Sequence, residues 1–232
     1  MVIVGIDASG PMSSVALIRD DELLAEERLE EGARPSREVL PALDRVMTMT
    51  GLSMESVDGL AAVRGPGSFT GLRIGLATAR GLAMAAGKPA VGFSALDLLA
   101  RQAPADLLRV SVWIDANREE VYTAGYRKSR GEWELETRYE LLSYARAAAQ
   151  ALPGAFLGSG AKRYRGEIET RGPEFRVVGH RPHLAADAAR AWARLAAAGV
   201  KPDPESLRPL YIRPSDAERR RRWRPSRLTS SA

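Results

Sequence analysis

Hydrophobic positions change period along the chain. Over 2–7 (VIVGID) and 14–19 (SVALIR) the residues are largely β-branched and apolar, which predicts two strands joined by the turn ASGPMS. Residues 22–29 (ELLAEERL) allow a third strand, although their composition suits a helix equally well. From 36 to 50, apolar residues at 39, 40, 43, 46 and 47 follow helical spacing; Gly51 is placed to end that helix, and Pro41 lies inside it. VDGLAAV (57–63) reads as a buried strand. A helix over 70–86 stops at Gly87 with Pro89 beyond, and PAVGF follows as a short strand. Ser94 opens a further helix, with Asp97 three residues on as its capping-box partner.

The order is βββαβαβα, and the second half repeats it in pattern without obvious identity. Strands are predicted at 109–115, 119–127 and 132–138, then a helix at 140–151 and a strand at 154–158. A short helix from 160, a strand near 175–178 and a helix at 184–198 complete the repeat. Three antiparallel strands followed by αβαβ is the ribonuclease-H-like unit. Two in tandem predict an α/β fold of actin/Hsp70-like (ASKHA) architecture. The break near RQAPAD (101–106) divides the chain into units 1–102 and 103–212. Residues 213–232 are left as a basic tail expected to be flexible.

Charge and composition remove several function classes. The net charge of +5 is concentrated at the end: RRRRWRPSRLTSSA holds six Arg and no acid. With those six set aside, the 34 basic residues fall to 28 against 29 acidic, so the body is not a strongly basic nucleic-acid binder. There is no Cys, hence no disulfide framework and no thiol nucleophile, and a reducing cytoplasm is the expected home. No apolar run approaches the ~20 residues of a membrane span. The start, MVIVGIDAS, has no basic region and enters a strand at once, so no signal peptide is expected.

Candidate chemistry centres on VRGPGSFTGLRIG (63–75). A Walker loop would need Gly at 70 and Lys at 71, where Thr70 and Gly71 stand. Gly65, Gly67 and Gly71 fit a loose dinucleotide fingerprint, but no acid closes the following strand. Ser68 lacks the glycine two residues on that a nucleophile elbow requires. Close packing remains. Gly71, Gly75 and Ala79 share one helix face, and Ala77, Gly81 and Ala85 form a second smooth stripe. Interior helix glycines cost about 1 kcal/mol each relative to Ala, so something should compensate: the chain's own sheet or a partner subunit. Arg73 sits in the first turn, where the helix dipole disfavours a cation, which suggests an acidic partner or a solvated position. Asp7 and Ser9 after the first strand, with Gly158 and Gly160 in the second half, are the candidates for weak nucleotide contact. His180 and His183 lack the acid of a metal motif. No catalytic set and no metal site emerge.

RGPGSFTGLRIGLATARGLA (64–83) closely resembles the signature of the TsaB (YeaZ) family. VIVGIDASGPMSSVALI, PSREVLPALDRVM, GFSALDLLA, WIDANREEVYTAGY, LGSGA and PLYIRPSDA also match, covering nearly the whole chain. One departure is Pro35, where the family commonly has His. The resemblance implies an ASKHA fold and a non-catalytic, dimerising and activating subunit of the tRNA N6-threonylcarbamoyladenosine machinery. Its implied partners are a TsaD-like catalytic paralogue, a TsaE-like ATPase and tRNA through the complex, with a homodimer when alone and no membrane. ATP and metal are expected in the paralogue, with no cofactor of this chain's own. The paralogue's H-x-x-x-H would fall on Ala95 and Leu99, two side chains that cannot ligate a metal. The signature loop is Arg64, Gly65, Pro66, Gly67, Ser68, Phe69, Thr70 and Arg73. The expected interface is Leu40, Leu43 and Met47 from helix 36–50, with Gly71, Leu72, Gly75, Leu76, Ala79 and Leu82 from helix 70–86. An independent actin-like ATPase or small-molecule kinase is the alternative.

Overall fold

The computed structural model describes residues 1–30 and 32–213. The Arg run of the tail lies outside the described residues. The first half runs β1 (Val2–Asp7), β2 (Ser14–Arg19), β3 (Glu22–Arg28), α1 (Pro35–Thr50), β4 (Gly59–Gly65), α2 (Phe69–Ala86), β5 (Ala90–Ser94) and α3 (Ala95–Ala100). The second runs β6 (Arg109–Asp115), β7 (Glu120–Ser129), β8 (Glu132–Leu135), β9 (Glu140–Ser143), α4 (Tyr144–Gln150), β10 (Gly154–Leu157), α5 (Ser159–Arg163), α6 (Arg165–Glu169), β11 (Phe175–Val177) and α7 (Ala185–Ala197).

The strands form two sheets of equivalent order. The first is β3-β2-β1-β4-β5; the second, read the same way, is β8-β7-β6-β10-β11. In each, an antiparallel meander of three is extended by two parallel strands. The pattern repeat seen in the sequence is thus a repeat of topology.

Helix ends follow local chemistry. Gly51 and Gly87 adopt left-handed conformations (φ 65° and 64°) that close α1 and α2. Ser68 accepts a hydrogen bond from the Gly71 amide at 3.2 Å, capping α2. Ser94 makes no such cap for α3. Asp97, expected to complete that cap, instead accepts hydrogen bonds from Tyr126 and Tyr139. The expected strand over 132–138 stops at Leu135, and the expected helix over 140–151 starts four residues late. Both differences have one cause. Glu140–Ser143 pairs with Glu120–Thr123 of β7, the stretch of that strand which β8 leaves free.

Layering crosses between the halves. α1 and α2 cover one face of the first sheet, and α7 from the far end of the chain covers the other. A Cβ on Gly5 of β1 would lie 1.9 Å from the Ala185 carbonyl oxygen, so α7 seats directly on that strand. α3 lies on β6 and β7 of the second sheet, against α7. One aliphatic core therefore joins Ile3, Ala61 and Val91 to Val110, Ala124 and Leu157 through Leu96, Leu98 and Trp192. Beyond α7, a turn at Pro204–Leu207 and an extended run to Arg213 form a strap back over the first sheet.

Candidate functional site

The glycine loop grips the turn after β1. The Ser68 amide donates to the Ser9 carbonyl at 2.6 Å. A Cβ on Gly67 would lie 2.0 Å from that same oxygen, and one on Gly71 would lie 2.0 Å from the Ala8 carbonyl oxygen. These glycines admit the chain's own backbone, not a phosphate. Gly65 takes φ 111° and precedes a cis Pro66. The Arg64 carbonyl accepts from the Leu210 amide at 2.8 Å, so the strap closes over the loop.

α2 divides sharply into an inner and an outer side. Gly71, Leu72, Gly75, Leu76 and Ala79 are buried, and the Gly75 position lies 3.1 Å from the Ala8 Cβ. The stripe expected to meet a partner is therefore spent on the protein's own sheet. Leu43 is buried too, Met47 and Leu82 are half-buried, and Leu40 alone of the expected interface residues is fully on the surface. The second stripe, Ala77, Gly81 and Ala85, faces out.

Arg73 is exposed, as the solvated alternative has it, and its partners among the described residues are rings. Its guanidinium sits 3.9 Å from the Phe69 ring centroid and donates through Nε to the Tyr211 hydroxyl at 2.9 Å. Phe69 and Tyr211 stack at 5.1 Å. An aromatic pair stands where an acid was expected, with the strap supplying one ring. Thr70 is exposed on the first turn of α2.

The candidate nucleotide contacts are occupied from within. Asp7 is buried; its carboxylate accepts from the Ser9 amide (2.8 Å), the Ser9 hydroxyl (2.6 Å) and the Leu184 amide (3.3 Å). Burial pushes this carboxyl above its ordinary value, and the Ser9 bonds oppose that rise. Gly158 and Gly160 are buried against β6: their missing side chains would strike the Trp113 carbonyl oxygen at 2.3 Å and the Asp115 amide at 3.1 Å. All four are buried and packed or bonded within the chain.

A cluster absent from the sequence reading lies beneath the loop. Asp97 accepts from the Tyr126 hydroxyl at 2.7 Å and from the Tyr139 hydroxyl at 2.8 and 2.9 Å. Burial, then the Asp97 charge, raises both phenols above their ordinary value. Arg64 also faces Tyr139. The partners are some thirty to forty residues apart in sequence, so no local spacing announces them.

The family model described as TsaD, tRNA N6-adenosine threonylcarbamoyltransferase, matches residues 30–198. The chain belongs to this family, on its TsaB/YeaZ branch. The tRNA threonylcarbamoyladenosine biosynthesis protein TsaB of Escherichia coli is 40% identical over 139 residues, which is 59% of this chain and 60% of that protein. The matched stretch thus spans about three-fifths of the curated relative. The structure of YeaZ from Pseudomonas aeruginosa superposes with a TM-score of 0.75 at 27% identity, covering 90% of this chain and 99% of that one. An inorganic polyphosphate/ATP-glucomannokinase from Arthrobacter superposes at 0.52 with 13% identity, a likeness of fold alone. The fold is the tandem ribonuclease-H-like, ASKHA architecture.

Ala95 and Leu99, where the resemblance puts the paralogue's histidines, are 1% and 4% exposed and belong to the shared aliphatic core. Among the described residues, no group of three His, Asp or Glu side chains is placed to hold a metal. His183 Nδ1 lies 3.2 Å from the Met12 carbonyl oxygen, and half-buried His180 is shifted below its ordinary value by burial. No helix among the described residues is long and apolar enough to cross a membrane.

Proposed function

We propose that this chain is a non-catalytic subunit of the machinery that makes N6-threonylcarbamoyladenosine in tRNA. It pairs with a TsaD-like transferase and activates it, while a TsaE-like ATPase and tRNA join the complex; alone, it homodimerises. ATP and metal belong to the transferase and ATPase, and the complex works in the cytoplasm.

The observation that carries this reading is the substitution at Ala95 and Leu99. The two positions are apolar and built into the core that joins the sheets. Metal chemistry there would require both different donors and a cleft in place of packing. The buried, internally bonded Asp7 supports the same reading against an independent ATPase.

Reconstitution tests it. Purified transferase and ATPase, supplied with ATP and a threonylcarbamoyl adenylate as donor, should modify a tRNA substrate only when this chain is added, and this chain alone should not turn over ATP. Full modification without it, or steady ATP turnover by the isolated chain, overturns the proposal.

A further inference from the structure

The outer faces of the two sheets are covered differently. In the first sheet the cross-strand pair Val4–Leu17 is buried beneath α1 and α2, helices of 16 and 18 residues. In the second, α4 has 7 residues, only about 10 Å of helix. The residues that would lengthen it, Glu140–Ser143, form β9 instead. A hollow of about 110 Å³ remains between α4, β6, β7 and the run 136–142.

Its walls are polar where the first sheet is aliphatic. Ser111 of β6 stands opposite Gly125 of β7, and Thr123 opposite Trp113. Thr137 fills the place of a side chain at Gly125, where a Cβ would lie 3.2 Å from its Cγ2. Trp113 and Leu142, both buried, form the apolar floor. At the rim the charges are already matched. Arg109 holds Glu136 through two bonds of 2.7 and 2.8 Å, and Arg138 pairs with Glu140 at 3.0 Å.

The unmatched groups of the hollow are neutral. Among the described residues, no hydrogen bond engages the Ser111 hydroxyl, the Thr123 hydroxyl or the Gln150 side-chain amide, all of which line it. Ser111 and Thr123 are half-buried, and a hydroxyl so placed needs a partner to offset its lost hydration. Water can supply that partner, and a ligand hydroxyl can replace the water.

We propose that this hollow binds a small neutral polyhydroxyl compound, a polyol or sugar. Its hydroxyls exchange hydrogen bonds with Ser111, Thr123 and Gln150, each of which both donates and accepts. Its carbon skeleton faces Trp113 and Leu142. A charged ligand would find no free counter-charge, since each carboxylate of the rim holds an arginine and Arg109 holds a carboxylate. The volume equals about four waters at ~30 Å³ each, which suits a compound of about three to five carbons.

The test titrates the full, nitrogen-15-labelled chain with glycerol, erythritol and ribose, and with spermidine and inorganic phosphate as charged probes. At least one neutral probe should shift the Thr123 and Gly125 amides and the Trp113 indole, saturating with a Kd on the order of millimolar, as expected for so few contacts. Ser111→Ala and Thr123→Val remove the hydroxyls, and Gln150→Leu changes an exposed position of α4. An unchanged thermal melt verifies each fold. Each should weaken binding at least about fivefold, the loss of one hydrogen bond. Thr170→Val, exposed beyond α6, should leave it unaltered. The absence of saturable shifts with every neutral probe overturns the proposal. So do shifts that survive any of the three substitutions undiminished, or binding of the charged probes alone.

Discussion

Gly71 of α2 and Ala8 of the turn after β1 are so close that a methyl group on the glycine would sit 2.0 Å from the alanine carbonyl oxygen. That contact explains why a helix begins with bare backbone directly after a strand. It also separates two kinds of glycine on one helix. Gly71→Ala should destabilise by at least about 1–3 kcal/mol, since backbone must move to admit the methyl. Gly81→Ala should stabilise by about 1 kcal/mol, as expected for an exposed interior helix position. Urea midpoints of the two variants against wild type check both. Gly75 is less tight, since an added methyl would meet the Ala8 Cβ at 3.1 Å, but the position is buried and Gly75→Leu should destabilise the fold.

Asp7 makes the fold sensitive to pH in an unusual direction. Its folded carboxyl lies above the ordinary value of 3.8 because it is buried. The folded state therefore takes up this proton at higher pH than the unfolded chain does. The cost of the buried charge is present at neutral pH and is relieved as pH falls through the raised folded value toward 3.8. Asp7→Asn keeps an oxygen for Ser9 and removes the titration. Wild type should gain stability relative to this variant between pH 7 and pH 4, measured as the difference in urea midpoints. A constant difference would contradict the burial effect.

Tyr126 and Tyr139 predict the behaviour at the other end of the pH scale. Both phenols are raised above 10 by burial and by the Asp97 carboxylate. The unfolded chain releases these protons first, so stability should fall as pH climbs past about 10. Absorbance at the phenolate band should show two tyrosines that ionise only with unfolding. Tyr126→Phe removes a hydrogen bond to a charged group and should cost about 1.5–3 kcal/mol.

The strap is tied at several points, from Ser206 on Gly92 to Leu210 on Arg64, and Tyr211 supplies one of them. Its ring stacks on Phe69 and its hydroxyl accepts from Arg73. An aromatic pair of this kind contributes about 0.5–1.5 kcal/mol beyond its buried area. Tyr211→Ala should raise amide exchange over 204–213 and at the loop carbonyl contact of Leu210, while β6 and β10 stay protected. Uniform exchange across the chain would show that the strap is not a separate cooperative unit.

Local signals carried most of the elements. Periodicity set the strands β1 and β2 and the helices α1, α2 and α7, because burial of one face imposes its own spacing on the chain. Gly51 and Gly87 marked helix ends, because only an unhindered residue takes the left-handed turn there. The missing Cys and the apolar Ala95 and Leu99 were legible as chemistry that these residues cannot perform. What the sequence could not decide was direction. The stripes Gly71–Gly75–Ala79 and Ala77–Gly81–Ala85 are equally smooth, and only the position of Ala8 shows that the first faces inward and the second out. The Asp97–Tyr126–Tyr139 cluster, the seat of α7 on Gly5 and the strap across the loop join residues from 29 to 180 positions apart. Such pairings leave no periodic trace, since their energy comes from surfaces that meet only after the two sheets have formed.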